Sequence, residues 1–159
     1  SDMNLSQDEI VVVSPDEGSI KRASSHSKQL GGTLAIIDKR RDKPNVAKAM
    51  AVIGDVKDKI AIILDDMADT AGTLVEASTA VTEHGASEVH ACCSHAVLSG
   101  PAIDRIYNSH LKSVVVTDTI PLRDKVAACD KIKVLSIAEL VGEAIIRSHR
   151  GDSVTSLFV

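Results

Sequence analysis

KIAIILDDMADTAGTLVEASTAVTEHG, residues 59–85, contains one complete strand-to-helix unit of the predicted fold. The run up to Leu64 is apolar on consecutive residues, which indicates a strand that is covered on both faces. From residue 72 the apolar period becomes helical, and Gly85 is a typical residue for ending the helix. The predicted buried face of this helix consists of Leu74, Ala77, Ser78 and Val81. A buried strand that leads into an amphipathic helix is the repeating unit of parallel α/β folds.

The same alternation continues over the rest of the chain. Further strands are predicted at residues 9–15, 33–38, 87–95, 113–119 and 131–137, and further helices at 19–30 and 137–149. The last helix has the clearest apolar period, on Ile137, Leu140, Val141, Ala144 and Ile145. Because crossovers between parallel strands are right-handed, this order predicts an α/β fold with a mainly parallel sheet and helices on both faces.

Length and composition favour a single globular domain. The chain has 159 residues, of which 44% are hydrophobic and 25% are charged, and this is enough for a sizeable core. We expect residues 10–159 to form the domain and residues 1–9 to be a tail that is disordered or left from cloning. The net charge of −4 argues against a nucleic-acid partner. No apolar run approaches the ~20 residues that span a bilayer, and three cysteines without CxxC spacing indicate a cytoplasmic protein with no membrane partner.

The quoted stretch also carries a candidate ligand site. Asp65 and Asp66 are the last residues of the strand predicted at 59–66, and ligands of open parallel sheets lie beyond the carboxyl ends of the strands. Thr70, Gly72 and Thr73 lead into the next helix, whose free N–H groups and positive dipole end favour an anion. Acids beside a helix start suit a ligand with hydroxyls at one end and a phosphate at the other, such as a sugar phosphate. An ordinary helix cap beside solvated acids is the alternative.

Two other segments extend this hypothesis. VVVSPDEGS, residues 11–19, repeats the arrangement of a buried strand, acids and a helix start, so both strand ends are predicted to face one crevice. DKRRDKPNVAK, residues 38–48, is a basic segment that Pro44 and the turn-forming Asn45 mark as a surface loop. Folded over the crevice, Lys39 and Arg41 would neutralise charge on a transferring phosphoryl group. The alternative for residues 11–19 is an ordinary capped turn. The alternative for residues 38–48 is a charged surface segment that only contacts solvent.

The combination resembles the ribose-phosphate pyrophosphokinases, or phosphoribosyl diphosphate synthetases. DDMADTAGT, residues 65–73, resembles the ribose 5-phosphate loop of that family, VVVSPDEGSIKR (11–22) its pyrophosphate loop, and DKRRDK (38–43) its flexible catalytic loop. SHAVLSGPAIDRI (94–106), VVVTDTIP (114–121) and GDSVTSLF (151–158) follow in the same order as in the family. The resemblance implies a type I phosphoribosyltransferase-like fold. It also implies Mg²⁺-dependent transfer of the diphosphoryl group of ATP, the co-substrate, to C1 of ribose 5-phosphate, which gives phosphoribosyl diphosphate and AMP.

The resemblance also assigns residue roles. Asp65 and Asp66 would hold the ribose hydroxyls and share magnesium. The 5-phosphate would be bound by Asp69, Thr70, Ala71, Gly72 and Thr73, and the pyrophosphate loop would be Asp16, Glu17, Gly18 and Ser19, with Asp16 also a metal residue. Lys39 and Arg41 would be the catalytic basic pair. In regulated members, the stretch that matches Ser153, Val154, Thr155 and Phe158 contributes to an allosteric site for phosphate or ADP.

The chain also departs from the family. Members are roughly twice as long and have two similar domains, of which this chain matches only the second, so the half with most ATP contacts is absent. Glu17 and Ser19 replace the small residue and the glycine that are usual in the pyrophosphate loop. We therefore expect a C-terminal domain that binds ribose 5-phosphate weakly and is inactive or nearly so alone. Full-length members assemble as homo-oligomers, from dimers to hexamers.

Two other functions remain open from the sequence. A nucleobase phosphoribosyltransferase would use the same acid pair and phosphate loop, but it should also carry a segment that covers the base. A non-catalytic regulatory subunit of the synthetase would typically lose the basic pair and alter the sugar loop, whereas Lys39, Arg41 and residues 65–73 are intact here.

Overall fold

The computed structural model describes residues 9–39, 50–122, 126 and 129–157 of the chain. Within these residues the strands are β1 (Ile10–Ser14), β2 (Thr33–Lys39), β3 (Met50–Ile53), β4 (Ile60–Ala68), β5 (Glu88–Ala96), β6 (Ser113–Thr117) and β7 (Ile132–Leu135). The α-helices are α1 (Ile20–Leu30), α2 (Gly72–Glu83), α3 (Ala102–Tyr107) and α4 (Ala138–Arg150). Short 3₁₀ turns lie at Glu17–Ser19 and Thr155–Leu157.

The seven strands form one sheet in the order β3-β2-β1-β4-β5-β6-β7. All neighbouring pairs are parallel except β2 and β3, which pair antiparallel at one edge. Helix α1 contacts β1 and β2, whereas α2 contacts β4 and β5. Because the chain moves in opposite directions across the sheet in these two right-handed crossovers, α1 and α2 lie on opposite faces. The predicted α/β fold is confirmed.

The core lies on both sides of the central strands. The three consecutive valines of β1, Val11, Val12 and Val13, are each 0% exposed, as expected for a strand that is covered on both faces. On the face of α2, the strand side chains pack against Leu74, Ala77 and Val81, which confirms the face predicted for that helix. The result is a rigid centre of the sheet from which the loops at the strand ends project.

Two elements were missed from the sequence. Strand β3 is only four residues long, which is too short for a recognisable pattern. Its side chains are all apolar, so they also show no alternation with polar residues. Helix α3 has six residues, less than two turns, so it shows no helical period. Of the predicted loop at residues 38–48, Asp38 and Lys39 belong to β2, and residues 40–48 lie outside the described part of the chain.

Helix α4 differs from the other long helices because its apolar face is not covered. The predicted helix is confirmed, but none of its residues is buried. Leu140 is 45% exposed, Ile145 is 63% exposed, and the neighbouring edge strand exposes 59% of Leu135. The helical pattern therefore identified the apolar face of α4 correctly, but it did not show that this face is exposed rather than buried in the core. Among the described residues, no helix has both the length and the apolar character required to cross a bilayer.

The ammonium group of Lys131 ties the end of α3 to the start of β7. Its Nζ donates to three backbone carbonyls, those of Tyr107 at 2.8 Å, Ser109 at 3.0 Å and Ile106 at 3.3 Å. The carbonyls of Ile106 and Tyr107 belong to the last turn of α3, where helix carbonyls lack their usual intrahelical partners, and that of Ser109 follows the helix. A cation at this end also interacts favourably with the helix dipole.

Replacing Lys131 by methionine should lower the free energy of unfolding by about 2 kcal/mol, because hydrogen bonds from a charged donor contribute ~1.5–3 kcal/mol. Lys133→Met is the matched control, since Lys133 lies two residues away with an exposed side chain. Urea denaturation followed by circular dichroism measures both. Equal stability of the two variants would show that the three carbonyls do not depend on Lys131.

Candidate functional site

The strand order places a crevice between β1 and β4. From β1 the chain continues to β2 on one side, and from β4 it continues to β5 on the other side. Such a point of reversal, beyond the carboxyl ends of the strands, is where open α/β sheets bind ligands. Strand β4 also continues past its neighbour, because the last pair is Val13 with Ile63 whereas β4 ends at Ala68.

This extension of β4 brings two predicted segments together. Asp65 and Asp66, which were predicted at the end of the strand at residues 59–66, lie within β4 and beyond the end of β1. Asp65 is therefore next to the turn that follows β1, where Ser19 Oγ donates to Asp65 Oδ1 at 3.5 Å. That turn is held by Asp16, whose Oδ1 accepts from the Ser19 N–H at 2.9 Å. The predicted pyrophosphate loop and acid pair thus share one crevice.

Arg22 is a residue of this site that the sequence reasoning missed. Its Nη2 donates to Asp66 Oδ2 at 3.1 Å, and its Nη1 lies 3.8 Å from Asp65 Oδ1. Nη1 is itself buried and, among the described residues, has no hydrogen-bond acceptor. Ser19 and Arg22 are three residues apart, so they lie on the same side of the helix start. That spacing is the signal that would have found Arg22.

The two carboxylates have different electrostatic environments. The side chain of Asp65 is only 12% exposed, and this burial, together with the negative charges of Asp16 and Asp66, raises its pKa above the usual value. The side chain of Asp66 is 63% exposed. Slight desolvation raises the pKa of Asp66, but the hydrogen bond with Asp65 and the Arg22 guanidinium outweigh it and hold the pKa low. Asp66 is therefore the first of the two to ionise.

The loop between β4 and α2 has the geometry of an anion site. Ala71 precedes the helix in a left-handed conformation, with φ 57° and ψ 9°, and its side chain makes no capping hydrogen bond. The first N–H groups of a helix have no intrahelical partners, so they are available to a ligand here. A cavity of about 130 Å³ opens at this point. Its lining consists of Asp65, Met67, Ala68, Asp69, Thr70, Ala71, Gly72, Thr73 and Leu74.

The alternative in which Asp69 or Thr70 caps α2 is wrong. Asp69 Oδ1 instead accepts from Ser99 Oγ at 2.5 Å, and Ser99 N–H donates to the Asp69 carbonyl at 2.9 Å. Arg105, on α3, donates from Nη1 to the Thr70 carbonyl at 3.0 Å. The phosphate loop is thus braced from outside by the segment that follows β5, a contact between distant residues that no local pattern reveals.

The other predicted site residues do not line the cavity, or they lie outside the described residues. Lys39 is the last residue of β2, and Arg41 lies outside the described residues. Ser153, Val154 and Thr155 follow α4, where the Ser153 carbonyl accepts from Arg147 Nη1 at 3.3 Å. Phe158 also lies outside the described residues.

Comparison with known proteins identifies relatives of the whole chain. Residues 40–159 match the family model described as the phosphoribosyl synthetase-associated domain. The ribose-phosphate pyrophosphokinase of Caldanaerobacter subterraneus subsp. tengcongensis is 58% identical over 151 residues, which are 95% of this chain and 48% of the relative. The enzyme of the same name from Oceanobacillus iheyensis is 54% identical, with coverage of 95% and 47%. The chain therefore spans about half the length of the curated relatives it matches.

A solved structure agrees with these sequence matches. The crystal structure of phosphoribosylpyrophosphate synthetase from Mycobacterium smegmatis is 36% identical and has a TM-score of 0.82. The similarity covers 91% of this chain and 46% of that chain. Sequence and fold therefore both relate this chain to one half of a longer protein.

Arg22→Met should raise the pKa of Asp66, because it removes the guanidinium that favours the carboxylate. A lowered folded-state pKa contributes stability that is present at neutral pH and is lost as the pH falls through that pKa. The variant should therefore lose less stability than the parent between neutral and acid pH. Carboxyl ¹³C NMR titration measures the pKa directly, with Arg150→Met as the control for removal of an exposed arginine. An unchanged Asp66 titration curve would contradict the ion pair.

Proposed function

The chain belongs to the phosphoribosyl synthetase-associated domain family, and from this we propose that it is the ribose 5-phosphate-binding half of a ribose-phosphate diphosphokinase. The proposed reaction joins the C1 oxygen of ribose 5-phosphate to the β-phosphorus of ATP and breaks the bond to the α-phosphate oxygen. The products are phosphoribosyl diphosphate and AMP. The observation that carries the proposal is the cavity that Asp65, one of the acid pair, lines together with the uncapped start of α2.

The two ends of the crevice suit the two ends of the sugar phosphate. Asp65 and Asp66 are carboxylate acceptors for ribose hydroxyls, which are hydrogen-bond donors. The 5-phosphate is assigned to the free N–H groups at the start of α2, with Thr70 and Thr73 as hydroxyl donors. Asp69, Ala71 and Gly72 complete the assigned phosphate-binding loop, and Asp69 is held in place by its bonds to Ser99. Catalysis of this kind depends on positioning and charge neutralisation more than on covalent chemistry.

Magnesium is part of the proposal as the partner of the acid pair. Carboxylate oxygens are suitable ligands for Mg²⁺, which usually keeps waters and shares substrate oxygens rather than occupying an all-protein cage. The described residues fit that mode, because the negative charges of Asp16 and Asp66 lie near Asp65 and raise its pKa, while Arg22 Nη1 is 3.8 Å from Asp65 Oδ1. Asp65 and Asp66 would hold the ion through their carboxylate oxygens, with Asp16 beside them. When bound, it would neutralise charge on the transferred diphosphoryl group.

The remaining assignments follow from family membership. We assign Lys39 and Arg41 to transition-state stabilisation, and Lys39 ends the strand next to β1, at the same edge of the sheet as the crevice. Ser153, Val154, Thr155 and Phe158 are assigned to an allosteric phosphate or ADP site. Asp16, Glu17, Gly18 and Ser19 are assigned to the pyrophosphate. The hydrogen bond from Ser19 Oγ to Asp65 Oδ1 supports this assignment.

We further propose that residues 10–159 are the C-terminal domain of a two-domain protein whose other half supplies most ATP contacts. The coverage of the relatives, 48% and 47%, supports this. The uncovered apolar face of α4 supports packing against that half or another subunit of a homo-oligomer. This chain alone is then expected to bind ribose 5-phosphate but to turn over slowly or not at all. A cytoplasmic location agrees with its free cysteines.

Gly72→Val should abolish ribose 5-phosphate binding without unfolding the chain. A Cβ at Gly72 would lie 3.6 Å from Arg105 Nη1 and 3.7 Å from Thr70 Oγ1, which is ordinary contact, so the helical backbone accepts it. The methyl groups of valine would occupy the cavity, and we expect affinity to fall at least ~10-fold, which corresponds to ~1.4 kcal/mol. Titration followed on the amide NMR signal of Thr73 measures this.

Gly142→Val is the matched control, because Gly142 is also helical but a Cβ added there would have nothing within 4 Å of it among the described residues. The same titration with phosphoribosyl diphosphate and free bases separates the alternatives. Binding of a base together with the diphosphate, but not of ribose 5-phosphate, would favour a nucleobase phosphoribosyltransferase. Failure of every ligand to shift the loop signals would favour a regulatory subunit.

Ribose 5-phosphate affinity should fall as the pH drops through the raised pKa of Asp65, because a protonated carboxyl is a poorer acceptor for the ribose hydroxyls. The ligand's own phosphate takes up a proton near pH ~6, and a parallel titration with inorganic phosphate isolates that contribution. In Asp65→Asn, only the phosphate contribution should remain. A pH profile identical in parent and variant would contradict a role for Asp65 in sugar binding.

A further inference from the structure

We infer that Arg105 is a positioning residue that orients the backbone of the phosphate loop and thereby gives the site its affinity for a phosphate group. The inference rests on the proposed function and deepens it. Arg105 lies on α3, outside every segment to which a site role was assigned, and it contacts the loop at the Thr70 carbonyl. Its role is separate from that of the residues that contact the ligand.

The contact that carries the inference is a single charged hydrogen bond. Arg105 Nη1 donates to the Thr70 carbonyl at 3.0 Å, and the same nitrogen lies 3.6 Å from the position of a Cβ on Gly72. Arg105 is not among the residues that line the cavity. The guanidinium therefore lies against the start of α2 without lining the cavity, and it acts on the ligand through the backbone.

The geometry of the peptide bond links this contact to the orientation of a backbone N–H group. In a trans peptide, the carbonyl and the N–H point to opposite sides of one plane. Because Arg105 fixes the direction of the Thr70 carbonyl, it also fixes the opposite direction of the Ala71 N–H, which we assign to the phosphate. Ala71 is in the left-handed conformation with φ 57°, which is unfavourable for a residue with a Cβ. The hydrogen bond from Arg105 helps to hold the loop in this conformation.

Helix α3 is itself firmly placed, so Arg105 is preorganised. Ala102 and Ile106, on the buried side of α3, are each 0% exposed. The segment that leads into the helix is bonded to the same loop, since the Leu98 N–H donates to the Ala68 carbonyl and the Ser99 N–H donates to the Asp69 carbonyl, each at 2.9 Å. The phosphate loop is thus fixed at three successive carbonyls, those of residues 68, 69 and 70. The third of these bonds comes from a cation.

The test compares Arg105→Met and Arg105→Lys with the parent chain in titrations with inorganic phosphate and with ribose 5-phosphate. Loss of one hydrogen bond from a charged donor should weaken binding of both ligands about 10-fold or more in Arg105→Met. Arg105→Lys retains the charge and one donor, so it should recover part of the affinity. The amide signal of Ala71 should shift with phosphate in the parent and in Arg105→Lys, but not in Arg105→Met.

The outcomes are distinct. If Arg105→Met binds phosphate as tightly as the parent, or if its Ala71 signal still shifts, the inference is wrong and the proposed function stands. If the parent binds neither ligand, the proposed function fails and the inference fails with it. If Arg105→Met does not fold, Arg105→Lys decides: reduced affinity with parent-like melting supports positioning, and parent-like affinity with lower melting shows a purely structural role. Arg150→Met, which removes an exposed arginine of α4, should match the parent in every measurement.

Discussion

The parallel pairing of β1 with β4 is the constraint on which the site depends. The two strands pair only as far as Val13 and Ile63, so the last five residues of β4 extend beyond β1 while β5 still supports them on the other side. This extension places Asp65 beside the turn that follows β1 and Thr70 beside the segment that follows β5. Without the extension, the acid pair, the turn at Asp16 and the start of α2 would not share a crevice. A difference in strand length thus creates the binding site.

Charge within the crevice is balanced unevenly, and this imbalance suits a ligand with two different ends. At one end, the partly buried Asp65 sits among other acids, and Arg22 compensates for only part of that charge because its Nη1 is 3.8 Å away. At the other end, uncapped N–H groups and the helix dipole provide positive potential. The acid end favours hydroxyl groups or a cation, and the helix end favours an anion. A neutral sugar or a simple phosphate would use only half of this arrangement.

The sequence predicted the regular elements well, because their apolar periods are local properties of the chain. The predicted acid pair, phosphate loop and turn at Asp16 also lie together, since strand ends of a parallel sheet meet at one edge. The parts that were missed are set by contacts between distant segments. Arg105 meets Thr70 across 35 positions in the chain, and no spacing rule connects them. Strand β3 and helix α3 were too short to produce a period; β3 is ordered by its pairing with β2, and α3 contacts α2.

Helix α4 shows why an apolar pattern is not the same as a core. Its period is as regular as that of any buried helix, yet Ile145 is 63% exposed and the adjoining Leu135 is 59% exposed. Large apolar side chains that are exposed on a helix and on an edge strand are costly to leave in water. The crevice, by contrast, is built from β1, β4, α1, α2 and α3, at the centre of the sheet. The candidate site and the exposed face of α4 are therefore built from separate parts of the described chain.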